Sequence, residues 1–231
     1  MNRTRTIAAL TIGLASALGF AGTASAAPPD LETARARCLT GISERQVQLD
    51  VLLEKSTASS TLTDGHEGTI GSFISAAKNG LSGLQAEVQA DADLASLRAD
   101  CEAVASEYRV YALRTPQVHL ALAGDRTAAG IVKGNEIAAT LQTAIDAAEA
   151  NGKDVAEVTA LLADLNAELA SASTSLSGVV DSELGYTPAD WNANHSVLSS
   201  ATTAVRSAHT DLKAALVDAK AIVAALRALA L

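Results

Sequence analysis

Aromatic side chains are close to absent. They make up 3% of the residues, and beyond the first 26 positions only Phe73, Tyr108, Tyr111, Tyr186 and Trp191 remain. Small-molecule pockets are commonly lined by aromatic and apolar groups, so little is available to build one. Cysteine is scarce too. Cys38 and Cys101 are the only two, and no C-x-x-C pair exists, which excludes a dithiol redox motif. There is no G-x-S-x-G turn for an activated serine. The four histidines show neither H-x-x-x-H nor E-x-x-H spacing, so no helical metal site is expected.

Positive charge is undersupplied as well. Seventeen Lys and Arg face 26 Asp and Glu, a formal charge of −9. Such a chain repels nucleic acid and anionic lipid rather than collecting them. What the chain does have is apolar surface. Hydrophobic residues are 48% and charged residues 19%, a balance that favours a packed core over disorder.

The N-terminus reads as a secretory signal peptide, residues 1–26. Arg3 and Arg5 precede an apolar run from Ile7 to Phe20, and Ala24-Ser25-Ala26 forms an A-x-A site. Cleavage after Ala26 moves the formal charge from −9 to −11, because both lost charges are arginines. No later run is long and apolar enough to span a bilayer. "AIVAALRALAL" at the C-terminus carries Arg227 and reads as the buried end of a helix. A secreted or envelope-associated product is expected.

Six helical segments follow from apolar spacing. The first opens at Asp30 and carries Leu31, Cys38, Ile42, Leu49 and Leu52 on one seam. The second opens with Asp64 and Glu67 as a capping box, with Ile70, Phe73, Ala77, Leu81, Leu84 and Val88 behind them. Five glycines in this segment suggest close helix approach. The third starts near Asp93 and the fourth runs from about Thr115 to Ala150. In the fifth, Val158, Leu162, Leu165, Leu169 and Ala172 alternate steps of four and three. "DSELGYTPAD" is the long connection, and the sixth helix runs from about Asp190 to the end with Leu212, Leu216 and Val223 on its stripe.

The expected fold is all-α, an elongated antiparallel, coiled-coil-like bundle. Its two three-helix units, 27–115 and 116–231, share one long helix kinked at Pro116. A reversal at Pro116, giving a single six-helix bundle, is the alternative. With segments one to three running up, down, up, Cys38 and Cys101 both lie roughly 11 Å above the same end. In an exported chain that levelling predicts a disulfide.

One stretch stands apart. "YRVYALRTPQVHLALAGDR" is apolar on nearly every side and carries Tyr108, Arg109, Tyr111, Arg114, His119, Asp125 and Arg126. Three arginines in an acidic chain are candidates for gripping an acidic group of a ligand or partner. The competing interpretation is a packed crossover whose charges are satisfied internally, with Asp125 pairing to a nearby Arg. Other motifs fall short. "DADLASLRADCE" lacks the calcium-loop glycine, since Ser96 stands in its place. His66 reads as a surface residue of a first turn and His195 as partly buried. No cofactor and no metal are expected.

"RARCLTGISER", "LRADCEAVASEYRVYALRTPQVHLALAGDR" and "GYTPADWNANHSVL" together resemble a group of secreted helical proteins of high-GC Gram-positive bacteria. The resemblance covers most of the chain after residue 26. It implies export, helicity and a paired cysteine set, but no activity. A Lys often follows the Thr-Pro in the similar chains, whereas this one has Gln117. The expected function is therefore non-enzymatic: interaction with a protein or cell-envelope component, with self-association as an option and no nucleic acid. A membrane-active or lipid-handling bundle is the alternative. An enzyme with its site around Tyr108–Arg126 comes third.

Overall fold

The computed structural model describes residues 30–229, so the expected signal peptide, 1–26, lies outside the described residues. Helices begin where a side-chain oxygen can take up a free backbone N–H. The Asp30 carboxylate accepts from Thr33 N–H at 2.7 Å and opens α1 (Leu31–Thr57). The cap of α2 (Asp64–Ala90) is Thr63, one residue before the expected Asp64; its hydroxyl accepts from His66 N–H at 3.3 Å. Asp93 caps α3 (Leu94–Ser106) as expected, accepting from Ala95 and Ser96 N–H at 2.7 and 3.0 Å. Then come a π-helical turn (Val110–Arg114), α4 (Thr115–Ala150) and α5 (Ala156–Leu176). Two short helices, α6 (Val179–Leu184) and α7 (Pro188–Ala193), lead to α8 (Ser199–Leu229). No strand occurs among the described residues. The fold is all-α.

Three expectations are corrected. The interruption expected at Pro116 lies upstream, at Glu107–Arg109. Arg109 adopts a left-handed backbone with φ of 44°. From there the chain winds as a wide turn: the Arg109 carbonyl accepts from both Leu113 N–H (2.8 Å) and Arg114 N–H (3.1 Å). Pro116 then falls in the first turn of α4, where its missing N–H costs little. Second, the sixth helix is split. Asn194 takes Ser196 N–H on its own side chain at 3.0 Å, and such local bonding competes with the helix ladder. His195 is exposed there, stacked on Trp191. Third, of the five glycines in α2 only Gly80 is crowded: a Cβ there would meet the Tyr108 hydroxyl at 2.5 Å, whereas Gly65, Gly68, Gly71 and Gly83 face open space.

Two cores form. The first joins Ile42, Leu49 and Leu52 of α1 to Ile70, Ile74 and Leu81 of α2 and Leu97 of α3. It does not stop at residue 115, because Val118 and Ala121 of α4 and Val180 and Leu184 of α6 belong to it. Ile74, not Phe73, is the fully buried residue of its row. The expected disulfide is present: Cys38 and Cys101 join α1 to α3 with Cα atoms 5.6 Å apart.

The second core packs α4, α5 and α8 through Leu141, Ile145, Leu162 and Leu165 against a line of alanines, Ala208, Ala215 and Ala219. The expected Leu216 is 43% exposed instead, as is Ile137 at 42%. Small residues on the buried line let helix axes approach, and a leucine on it would hold them apart. Glycines of α4 admit side chains of α6 and α8. A Cβ at Gly124 would lie 2.6 Å from a Val180 methyl and 3.9 Å from a Val205 methyl; one at Gly130 would lie 2.6 Å from a Leu212 methyl. Both sets of numbers rise together, so α4 and α8 run parallel.

Candidate functional site

The seven residues singled out by sequence do not share one surface. Tyr108 packs over Gly80 of α2, where burial, with Glu107 and Glu87 nearby, raises its phenol above the ordinary range. Arg109 donates from Nε to Asn192 Oδ1 at 2.6 Å, and Asn192 in turn donates to the Ser106 carbonyl at 2.9 Å. One α7 side chain thereby holds both the strained residue and the end of α3. Tyr111 is 49% exposed, with the Arg45 guanidinium 5.4 Å from its ring centre.

Arg114 turns inward. Its guanidinium lies 4.5 Å from the Phe73 ring centre, a cation–π distance. It donates to Gln117 Oε1 at 2.9 Å and to the Tyr186 carbonyl at 3.1 Å. Burial lowers its pKa. Gln117, fully buried, donates from Nε2 to the Glu183 carbonyl at 2.6 Å and the Tyr186 carbonyl at 2.9 Å. Glu183 itself went unnoticed in the sequence. It is 1% exposed, and neither carboxyl oxygen has a hydrogen-bond partner among the described residues. Burial pushes its carboxyl up to about 9, so it is protonated at neutral pH.

Asp125 does not pair with an arginine, contrary to the crossover expectation. It is 6% exposed and accepts from Thr63 N–H at 2.8 Å and from His66 Nδ1 at 2.8 Å. His66 Nε2 lies 3.1 Å from Asp181 Oδ1. His66 is thus no free surface residue. It bridges α4 and α6 from the first turn of α2. Burial opposes the charge on its ring, but Asp125 and Asp181 outweigh burial and raise its pKa. Nothing local in the sequence signals this bridge, whose partners lie 59 and 115 residues away.

His119 and Arg126 are the two that stay together. Both face a groove of about 1100 Å³ between α4, α8 and the α1–α2 loop. Arg206 and His209 of α8 face them, and Ser59, Ser60 and Thr61 form the end wall. Leu122, Val205 and Leu212 supply apolar surface, and among the described residues no carboxylate lines the groove. Burial, with Lys55 nearby, lowers the His119 pKa. The Thr63–Asp125 bond anchors the loop beside this groove. The shared groove of Arg206 and His209 with α4 escaped sequence reading because it needs the α4–α8 register, which shows in the contact of Gly130 with Leu212. The i, i+3 spacing of Arg206 and His209 on the last helix was the one available signal.

Among the described residues no set of three His, Cys, Asp or Glu side chains could hold a metal ion, and no helix is long and apolar enough to cross a membrane. Comparison with protein families, with curated proteins and with solved structures finds no match to this chain.

Proposed function

We propose that the chain is an exported, non-enzymatic helical protein that binds a cell-envelope component through the groove between α4 and α8. The groove carries the proposal: among the described residues it gathers two arginines and two histidines, without a carboxylate, on a chain of net charge −9. Export is supported by the 1–26 sequence pattern and by the Cys38–Cys101 disulfide, a bond typical of oxidising compartments. A shared catalytic centre around Tyr108–Arg126 loses support, because Tyr111, Arg114 and Asp125 point to three separate surroundings.

The test is co-sedimentation of the mature chain with washed cell envelopes. Retention is expected, and Arg126→Ala/Arg206→Ala is expected to abolish it with helicity unchanged. Unaltered retention by that variant discards the groove. N-terminal sequencing of the exported product is expected to begin at Ala27; an intact N-terminus in the cytoplasm discards export.

One observation favours a membrane-active bundle instead. Ile137, Leu216, Ala219 and Val223 form a shallow apolar trough flanked by Lys220 and Arg227. Dye release from liposomes at low protein concentration, lost on Leu216→Ser, would select it.

A further inference from the structure

The groove's chemistry narrows its ligand. Arg126 and Arg206 make no ion pair and no side-chain hydrogen bond among the described residues. The junction arginines, by contrast, are each held by a neighbour, Arg109 by Asn192 and Arg114 by Gln117. Gly124 lies against Val205 and Gly130 against Leu212, which brings residue 126 roughly level with residue 207. Arg126 and Arg206, both exposed, therefore stand at one height on the two helices that border the groove, a placement that lets two guanidinium groups reach one oxyanion. His119 lies on α4 roughly 10 Å from Arg126 along the axis, and His209 roughly 4.5 Å beyond Arg206. The two imidazoles thus carry ring nitrogens along the groove to either side of the arginine pair.

Hydroxyls complete the surface. Ser59, Ser60 and Thr61 stand at the end wall, and Thr127 and Thr202 on the helices. The Thr127 and Thr202 hydroxyls donate to the Ala123 and Leu198 carbonyls, and Ser59 Oγ accepts from Leu62 N–H, so a hydroxyl-rich ligand meets chiefly Ser60 and Thr61 of the loop, while its C–H faces find Leu122 and Leu212. Among the described residues no Phe, Tyr or Trp lines the groove, so nucleic-acid bases have no ring of that kind there to stack on. The acidity of the whole chain opposes long nucleic acids as well.

We propose that the groove takes a phosphate-bearing polyol, with Arg126 and Arg206 on the phosphate and the Ser60 and Thr61 hydroxyls on the polyol. This rests on the groove being the binding surface. The phosphate can come from a soluble polyol phosphate or from a phosphodiester-linked polyol chain of the envelope.

Calorimetry on the exported, disulfide-bonded chain separates the outcomes, with four probes: glycerol 3-phosphate, a short glycerol-phosphate oligomer, glycerol, and a thymidine oligonucleotide of matched charge. Both glycerol phosphates are expected to bind and glycerol is not. Arg126→Ala/Arg206→Ala is expected to weaken each phosphate at least tenfold, with the unfolding midpoint held as a folding control. An oligomer that binds at least tenfold tighter than the monomer identifies the envelope polymer; equal binding identifies the soluble source. Binding of glycerol as strong as that of glycerol 3-phosphate overturns the proposal, as does oligonucleotide binding equal to the oligomer. If no phosphate binds while envelope retention still requires both arginines, the polyol phosphate is wrong and the groove stands. If retention ignores the arginines, both fall.

Discussion

The two cores are built by different means. The first uses branched aliphatic side chains, a disulfide and buried polar groups; Asp125 meets its partners, but the Glu183 carboxyl meets none. The second has no disulfide, and along α8 its buried line is largely alanine, with α4 contributing Gly130 and Gly134 at contacts with Leu212 and Leu169. One core is held by a covalent tie across polar faults, the other by close approach. Stability in the first should therefore respond to redox state and pH, and in the second to added volume.

The largest expected effect is on the tie. Cys38→Ser/Cys101→Ser opens a loop with a sequence separation of 63 and should cost about 4 kcal/mol in the chain-entropy model. Urea unfolding of oxidised and doubly substituted chains measures it. Hydrogen exchange should show the loss concentrated in α1–α3; a loss spread evenly into α5 and α8 breaks the comparison.

Next comes Glu183. Its folded pKa, about 9, stands above the ordinary 4.5. The folded state keeps a proton that the unfolded state releases, so this group's contribution is fully present below about pH 4.5 and is lost as pH rises through about 9. Glu183→Gln should stabilise the chain by about 3 kcal/mol at pH 7 and by nothing near pH 4. Unfolding curves at the two pH values decide this; equal effects at both remove the buried-acid account.

In the second core, Ala208 is fully buried. Ala208→Leu should cost about 2 kcal/mol by overpacking, with no dependence on reductant. A cost that disappears on reduction would show the two cores to be coupled through the tie.

The smallest effect concerns His66. Its raised folded pKa means that its contribution is present below about pH 6.5 and is lost as pH rises through the folded value. His66→Ala should lower the thermal midpoint at pH 5.5 and hardly change it at pH 8.5. NMR titration of the imidazole checks the sign directly.

Local periodicity made much of this fold legible. The α5 seam of Val158, Leu162, Leu165 and Leu169 is buried as spaced, Asp93 caps α3, and the cysteines meet. What stayed hidden depends on contacts far apart in the chain. Arg109 adopts a conformation that favours glycine, because the Arg109–Asn192–Ser106 bonds hold it there, and a π turn has no sequence period to betray it. Phe73 read as core because a ring on a seam usually is; here it sits at the edge under Arg114. Of the groove, half was visible in "VHLALAGDR", and the other half waited on which helix lies beside α4.

The membership of α6 in the first core bears on the order of assembly. The tie between α1 and α3 can close once residue 101 is available. Val180 and Leu184, which finish the same core, arrive only after α4 and α5 have been made. A chain that emerges N-terminus first therefore presents both cysteines before the segment that completes their core. Until then the faces of α2 and α4 on which α6 packs stay open, Gly124 beneath Val180 among them.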